Sequence, residues 1–316
     1  MVAIAIDLGG TKIEGALIDG DFKVFEKMRV PTEAELGKDK ILENLESVIS
    51  RLKEKNGDVK GIGISMPGFV IDEKISFPGG SLECLDEFPL KKHLEKKFDL
   101  PIVIENDANC FALAEASQGA GKNSQVVVGV IWGSGIGGGI VSGGKIFSGS
   151  NGAAGEFGHI IVDSSRKDGV ECGCGQVGCL ESLASGRAIV EMYEKSGGEI
   201  KNPNPRDVYD SEEEVAKKII SDAVRYLSTG ISNLVYVLNP DIIVLGGGVS
   251  KLPDEVYEKI EAEVKKNVIS EMTQDLKIVR HGISDSSGVI GVAILVFEEL
   301  GKNVSQKKSF FGFFGR

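Results

Sequence analysis

The sequence predicts a duplicated α/β protein with two domains of similar construction. Short apolar strands alternate with amphipathic helices along the 316 residues, a pattern typical of largely parallel sheets. Glycine accounts for 42 residues, and much of the excess stands in short clusters that follow strands. Shifting the sequence by 124 residues places Gly9 and Gly15 on Gly133 and Gly139, with an apolar strand before each copy. We therefore expect one glycine turn in each domain, the two facing each other across a cleft.

The first predicted domain opens on a strand and a hairpin. Residues 2–6 form an apolar strand that runs into the glycine turn, and Asp19-Gly20 signals a hairpin after the apolar stretch 16–18. Apolar side chains at helical spacing then predict an amphipathic helix over 38–55. Two short buried strands at 59–65 and 100–104 and a helix containing 111–116 complete this domain.

The second predicted domain repeats this opening and continues with longer helices. Its predicted elements are a strand at 126–132, the glycine turn 133–139, a helix at 212–238, a strand at 241–245 and a helix at 253–268. Residues 287–299 are apolar on nearly every side, so we expect a buried helix that packs back on the first domain. The predicted domains are 1–117 together with 287–303, and 118–286, followed by a tail at 304–316 that carries four phenylalanines.

The composition excludes several classes of function. The net charge is −11, the sequence pI is about 5.0 and the sequence has no basic stripe, so we expect no nucleic-acid binding. The sequence has no run of about 18 apolar residues that would span a membrane. The N-terminus lacks the features of a signal peptide, and the five cysteines do not form a disulfide framework. These features predict a cytoplasmic protein.

Residues 7–12, Asp-Leu-Gly-Gly-Thr-Lys, place a carboxylate at the end of a buried strand, directly before a glycine turn. Glycine lets backbone N–H groups approach phosphate oxygens, and the carboxylate of Asp7 can hold Mg²⁺ through water. The alternative is a hairpin whose glycines only relieve strain. The second copy at 133–139 favours phosphate binding by both turns.

An acidic cluster, Glu105-Asn106-Asp107, stands where a predicted strand ends and a helix begins. A sugar hydroxyl attacks phosphorus well only when a base accepts its proton, and Asp107 is placed like such a base. Asn106 is able to hold a neighbouring hydroxyl group. The alternative is an Asx cap of the helix, since Asn and Asp are favoured capping residues. Both interpretations are open, each for a different residue of the cluster.

Three cysteines at C-x-C-x₄-C spacing, Cys172, Cys174 and Cys179, follow His159, one of three histidines in the chain. Three thiolates and one imidazole form a tetrahedral zinc set, and the intervening glycines provide the turns that bring the thiolates together. Four protein ligands leave no open coordination position, so the zinc is predicted to be structural. Three unrelated buried cysteines are the alternative.

Taken together, these segments resemble the ROK family of sugar kinases and sugar-responsive repressors. The resemblance runs from residue 2 to about residue 300 and is carried by 7–12, 104–109, 133–139, 155–159, 172–181 and 245–248. It implies an actin- and hexokinase-like (ribonuclease H-like) fold of two α/β domains with the active site in the cleft. It also implies ATP-dependent phosphorylation of a hexose hydroxyl, with glucose first and N-acetylglucosamine, N-acetylmannosamine or fructose as alternatives.

The resemblance also implies roles for individual residues. Asp107 is the implied general base, and the implied sugar ligands are Asn106, Glu156, His159, Glu181 and Gly68. The implied binding residues for MgATP are Asp7, Gly9, Gly10, Thr11, Lys12, Gly133, Ser134, Gly135, Gly137, Gly247 and Gly248. The implied zinc ligands are His159, Cys172, Cys174 and Cys179, with the second ring nitrogen of the histidine touching the sugar. A homodimer or homotetramer is expected.

Two features distinguish the chain from other members of the family. The repressors carry a helix-turn-helix ahead of the first strand, whereas one residue precedes that strand here, so a kinase is favoured. Many glucokinases of the family carry an Asn and a Gly-Trp pair in the loop that spans 76–90 here, and this loop faces the sugar in relatives. Residues 76–90 contain neither Asn nor Trp, which leaves the identity of the sugar open.

Overall fold

The computed structural model of the chain describes residues 1–165, 171–283 and 286–312, and for 302–312 the backbone alone. The chain divides into two compact units. The first comprises Met1–Cys110, Ser150–Gly152 and Ser284–Arg316, and the second comprises Phe111–Gly149 and Ala153–Ile283. The last four residues of the predicted tail, 313–316, lie outside the described residues.

The first unit is built on a five-stranded sheet. Its elements are β1 (Val2–Leu8), β2 (Lys12–Asp19), β3 (Val24–Pro31), α1 (Lys38–Lys55), β4 (Val59–Met66), β5 (Phe69–Ile71), β6 (Lys74–Ser76), α2 (Leu90–Phe98), β7 (Ile102–Asn106) and the start of α3 (Asp107–Gln118). The strand order β3-β2-β1-β4-β7 combines the antiparallel hairpin β1–β2 with the parallel pairs β1–β4 and β4–β7. The helix predicted over 38–55 is confirmed, and its apolar face is buried because its apolar residues recur at helical spacing.

The second unit repeats this sheet topology. Its elements after α3 are β8 (Val126–Trp132), β9 (Ile136–Ser142), β10 (Lys145–Ile146), α4 (Leu180–Ala184), α5 (Gly186–Lys195), α6 (Pro205–Asp210), α7 (Glu214–Leu238), β11 (Ile242–Gly246), α8 (Asp254–Asn267) and β12 (Lys277–Arg280). The order β10-β9-β8-β11-β12 matches that of the first sheet, strand for strand. β8 and β9 begin 124 residues after β1 and β2, so the duplication predicted from the glycine spacing is confirmed for the hairpins.

The glycine turn of the second unit is shorter than the sequence predicted. Residues 136–139 belong to β9 and pair with β8, so the turn is confined to 133–135. Gly137, to which the resemblance gave a phosphate-binding role, is paired with Ile131 inside this hairpin. Glycine permits a turn without requiring one, and the flanking β-branched residues Ile136 and Ile140 favour an extended backbone.

The C-terminal helix α9 (Ser287–Gly312) packs on β1 and β4 of the first unit, as the sequence predicted, and extends beyond the predicted end at residue 299. The approach is close because Gly63 of β4 has no side chain. A Cβ atom at Gly63 would lie 2.7 Å from Cγ2 of the buried Val292. Although α9 is largely apolar, no helix in the described part of the chain has both the length and the hydrophobicity to cross a membrane.

Replacing Val292 by alanine tests the packing of α9 on the first sheet. Val292 is 0% exposed, so the loss of two methyl groups and the cavity left behind should lower the free energy of unfolding by about 2 kcal/mol. Val237→Ala, at a position on α7 that is 79% exposed, is the control and should change it by less than about 0.5 kcal/mol. Urea unfolding followed by circular dichroism measures both variants, and equal effects would contradict the burial of α9.

Candidate active site

The carboxyl ends of β1, β4 and β7 lie side by side at one edge of the first sheet. Asp7 pairs with Ser65, and Ser65 pairs with Glu105, in the parallel register of these strands. Asn106 ends β7 and Asp107 begins α3. This register brings Asp107 close enough for its charge to raise the pKa of Asp7. The first unit therefore holds two of the expected functional carboxylates at a single sheet edge.

Asp7 is a partly buried carboxylate whose pKa is raised from 3.8 to about 6. Burial is the largest cause, because it disfavours the charged form, and the negative charges of Asp107 and Glu14 act in the same direction. The positive charge of Lys12 partly opposes them. A carboxyl group perturbed by burial and by specific charged neighbours is typical of functional sites.

Asn106 caps helix α3 and thereby fixes the position of Asp107. Its Oδ1 accepts hydrogen bonds from the backbone N–H groups of Ala108 at 2.9 Å and Asn109 at 3.1 Å. Its Nδ2 donates to the carbonyl oxygen of Gly68 at 3.1 Å, and the amide carries a second N–H besides this one. The capping interpretation is therefore confirmed for Asn106, whereas Asp107 lies in the first helical turn, where the helix dipole stabilises negative charge.

The turn between β1 and β2 contains Gly9, Gly10 and Thr11. The backbone N–H of Gly9 donates to the carbonyl of Lys12 at 3.0 Å, and Oγ1 of Thr32 donates to the carbonyl of Gly9 at 2.6 Å. The residues Thr11 and Lys12 are exposed. The turn is thus held by protein contacts through Gly9, while two side chains with hydrogen-bond donors stand at its surface.

In the second unit, the structure brings the four expected metal ligands together. One candidate ligand atom from each of His159, Cys172, Cys174 and Cys179 lies within 4.8 Å of all the others. The Sγ of Cys174 is 3.4 Å from that of Cys172 and 3.6 Å from that of Cys179, and the Sγ of Cys172 is 3.3 Å from Nδ1 of His159. Sulfur atoms bound about 2.3 Å from a tetrahedral zinc ion stand about 3.8 Å apart, so this donor set fits zinc with a small expansion.

His159 presents its two ring nitrogens to different groups. Nδ1 faces Cys172, whereas Nε2 lies 3.8 Å from Oε2 of Glu156. Burial raises the pKa of Glu156, the nearby His159 opposes this, and the charge of Glu181 adds to it. The three expected sugar ligands of the second unit therefore form one polar cluster beside the thiols.

A cavity of about 760 Å³ opens beside the second glycine turn. β8 and β11 are parallel neighbours, so the turns that follow them meet at one edge of the second sheet. The lining includes three expected nucleotide-binding residues, Gly133, Ser134 and Gly248. It also includes three cationic residues that the sequence did not single out, Arg187, Arg206 and Lys251.

The cationic residues of the cavity were missed for a physical reason. The start of α6, which carries Arg206, has a sequence pattern of its own: Asn204 is the N-cap residue in a capping box, and Pro205 is in the first turn. That pattern locates a helix start, but not what the helix faces. Arg187, Arg206 and Lys251 come from three separate segments, and only the folded chain brings them to one cavity.

Each of the two α/β units carries its own five-stranded sheet of the same strand order, with a glycine turn at the strand ends. This duplicated architecture defines the actin- and hexokinase-like fold. The chain belongs to the ROK family, whose sequence model matches residues 3–299. It is 32% identical to a glucokinase from Halalkalibacterium halodurans over an alignment of 316 positions, which covers 94% of this chain and 95% of the relative. It is 33% identical to an N-acetyl-D-glucosamine kinase from Pectobacterium atrosepticum, with 92% of this chain and 97% of the relative covered.

The fold is also similar to that of a solved relative. A ROK family glucokinase from Streptomyces griseus, crystallised in complex with glucose and AMPPNP, superposes with a TM-score of 0.77 at 28% sequence identity. The match covers 93% of this chain and 99% of that chain. The similarity therefore extends over both units and is not confined to the glycine turns or the cysteine cluster.

Asp7→Asn tests the energetic cost of the partly buried carboxylate. A raised pKa in the folded state means that the folded chain binds this proton more tightly than the unfolded chain, so stability falls as pH rises from 3.8 through about 6. A shift of about two pH units corresponds to roughly 2–3 kcal/mol. Without Mg²⁺ and nucleotide, Asp7→Asn should therefore be more stable than the wild type at about pH 7.5, and this gain should disappear near pH 4.

Urea unfolding at the two pH values measures this difference. Asp21→Asn, an exposed carboxylate between β2 and β3, is the control and should give no pH-dependent gain. An Asp7→Asn variant that is no more stable than the wild type at neutral pH would contradict the description of Asp7 as an unfavourably buried charge.

Proposed function

We propose that the protein is an ATP-dependent hexose kinase, which transfers the terminal phosphoryl group of MgATP to a hydroxyl group of the sugar. The observation that carries this proposal is the pair Asp7 and Asp107 at one edge of the first sheet. The proposal is supported by relatives at 32% and 33% identity that are named as sugar kinases. Phosphoryl transfer to a hydroxyl needs a base for the proton and compensation of the phosphate charge, and the two carboxylates suit these separate tasks.

Asp107 is assigned as the general base. The sugar hydroxyl oxygen attacks the γ-phosphorus, its proton passes to the carboxylate of Asp107, and the bond from phosphorus to the bridging oxygen breaks as ADP leaves. The cap supplied by Asn106 supports this assignment, because it fixes the helical turn that carries Asp107. The N-terminus of α3 stabilises the ionised form that a base requires.

Asp7 is assigned to the magnesium ion, which it would hold through water. When bound, Mg²⁺ neutralises charge on the phosphoryl oxygens. Ionisation of Asp7 beside Asp107 is unfavourable in the protein alone, and a nearby cation offsets this cost. The phosphates are assigned to Gly9, Gly10, Thr11 and Lys12 of the first unit and to Gly133, Ser134 and Gly135 of the second. Gly137 is left out of this set because it lies within the β8–β9 pair.

The cavity of the second unit is assigned to the nucleoside of ATP. Val190 offers apolar surface for the base, and Gly247-Gly248 borders the same region at the end of β11. Three cationic side chains and one carboxylate, Glu191, line the cavity, so the formal charge of the lining is positive in a chain with a net charge of −11. Two of the cations are ion-paired, Arg187 with Glu191 at 3.9 Å and Arg206 with Asp210 at 2.7 Å.

The sugar ligands are assigned as Asn106 and Gly68 in the first unit and Glu156, His159 and Glu181 in the second. The side chain of Asn106 supports its assignment as a sugar ligand, because the second N–H of its amide can donate a hydrogen bond to a hydroxyl oxygen. The cluster of His159 with the three cysteines is assigned to a zinc ion. Because four protein ligands fill a tetrahedral shell, this zinc has no position for substrate and acts by holding its loop and the ring plane of His159.

Glucose is the first candidate substrate and an N-acetylhexosamine is the second. One specific observation favours keeping the second candidate: the loop 76–90 lacks the Asn and the Trp that many glucokinases of the family carry there. The relatives named glucokinase and N-acetyl-D-glucosamine kinase match this chain at nearly equal identity. We therefore expect turnover of at least one hexose besides glucose.

Asp107→Asn tests the general base. The substitution keeps the size and hydrogen-bonding capacity of the side chain but removes its ability to accept a proton, so kcat should fall by about 10²–10⁴. The KM for the sugar should change far less, because the amide still binds a hydroxyl group. A coupled assay for ADP release measures both constants.

Asp58→Asn, which replaces an exposed carboxylate of the first unit, serves as the control and should retain wild-type kinetics. An Asp107→Asn enzyme that keeps more than half of the wild-type kcat would remove Asp107 from the chemical step. Loss of activity with a matching loss of folded structure would instead contradict the assignment of a purely chemical role.

A further inference from the structure

The segment from Cys179 to Arg187 contacts the backbone of the second glycine turn at two residues, and that of Ile136, the first residue after the turn, at a third. Oε2 of Glu181 accepts a hydrogen bond from the N–H of Ile136 at 2.9 Å. The N–H of Gly186 donates to the carbonyl of Gly133 at 2.8 Å, and the N–H of Arg187 donates to the carbonyl of Ser134 at 3.3 Å. All of these residues belong to the second unit. The turn assigned to the ATP phosphates is therefore shaped by a segment that follows it by about fifty residues in the sequence.

Glu181 makes the side-chain contact among these three hydrogen bonds, whereas the other two join backbone groups. A Cβ atom at Gly135 would lie 2.5 Å from Oε2 of Glu181, so the carboxylate occupies the space that a side chain of the turn would need. The side chain of Glu181 is only 19% exposed, and its Oε1 lies 3.8 Å from a guanidinium nitrogen of Arg187. Oε2 of Glu181 thus lies against the turn and accepts the N–H of Ile136, while Oε1 faces the guanidinium group of Arg187.

Cys179, one member of the cluster of His159 and three cysteines, is the first residue of this segment. Cys179 is the N-cap residue of α4, and Glu181 lies in the first turn of that helix. Oγ of Ser182 donates to the carbonyl of Cys179 at 2.8 Å, which ties the start of the helix to the ligand residue. A metal ion bound by Cys179 would therefore fix the end of α4 that presents Glu181 to the turn.

We propose that Glu181 is a positioning residue for the phosphate-binding turn. Through Glu181, the cluster of His159 and the three cysteines then supports nucleotide binding. This inference rests on the proposed function and gives Glu181 a task besides the sugar contact assigned above. Without the carboxylate, the N–H of Ile136 loses its partner, and the backbone of the turn and of Ile136 keeps two of its three contacts with this segment. The cluster would then affect the affinity for ATP as well as that for the sugar.

Charge alone predicts the opposite effect, which makes the inference testable. Removing a carboxylate beside a phosphate site reduces repulsion, so an effect of charge would tighten the binding of an anionic nucleotide. An effect of positioning would weaken it. Glu181→Asp keeps the charge but shortens the side chain by one methylene, whereas Glu181→Gln loses the charge but keeps an acceptor oxygen at the same reach.

The experiment measures the Kd of Mg-AMPPNP by calorimetry without sugar, so that the sugar contact of Glu181 does not enter. We expect Glu181→Ala and Glu181→Asp to raise the Kd about tenfold and Glu181→Gln to stay within about threefold. Glu213→Ala is the matched control, because Glu213 also accepts a backbone N–H in the second unit, that of Glu199, and it should leave the Kd unchanged. A Kd for Glu181→Asp below that for Glu181→Gln would overturn the positioning role.

A second arm tests the metal without touching Glu181. Cys174→Ser should lose zinc in elemental analysis and raise the Kd of Mg-AMPPNP toward that of Glu181→Ala, whereas Cys84→Ser, at an exposed cysteine of the first unit, should change neither. Zinc loss with an unchanged Kd would overturn the link between cluster and turn. A wild-type protein that fails to bind Mg-AMPPNP would contradict the proposed function itself. Wild-type binding with Glu181→Ala within twofold would overturn this inference alone.

Discussion

The register of the parallel strands determines which candidate functional groups meet at the end of each sheet. Because β1, β4 and β7 end at one edge, Asp7 and Asp107 share that edge although a hundred residues separate them. In the second unit, β8 and β11 end at one edge in the same way and bring the turns at 133–135 and 247–248 together. A slip of one residue in either sheet would turn these groups to the opposite face, and a slip of two would move them by about 7 Å.

The candidate binding groups at the strand ends differ between the two sheets. In the first unit, two partly buried carboxylates lie close together, and burial together with the charge of Asp107 raises the pKa of Asp7, so the ionised form of Asp7 carries an electrostatic cost. Such a cost is typical of a site that meets a cation or a charged substrate, and it is offset only when that ligand is bound. In the second unit, the glycine turn offers mainly backbone groups, whose direction is set by contacts from the segment that begins at Cys179. Charge therefore dominates one edge and backbone geometry the other.

Local spacing made much of the fold and part of the site predictable. The helix at 38–55, the duplicated hairpins and the convergence of the three cysteines on His159 all depend on patterns within short segments. The end of the glycine turn was not predictable, because Gly137 tolerates a strand as readily as a turn. The cationic lining of the cavity and the bond from Ile136 to Glu181 depend on how distant segments pack, and no spacing in the sequence encodes that.

Phosphorus NMR follows the transfer of a phosphoryl group from ATP to a hexose hydroxyl without a coupling enzyme. A sugar phosphate monoester, ADP and inorganic phosphate give separate signals in a single sample of purified protein with MgATP. We expect the monoester to grow in step with ADP for at least one of glucose, N-acetylglucosamine, mannose and fructose, and ATP to persist when no sugar is added. Release of inorganic phosphate at a rate independent of sugar, or unchanged ATP with all four sugars, would contradict the proposed kinase activity.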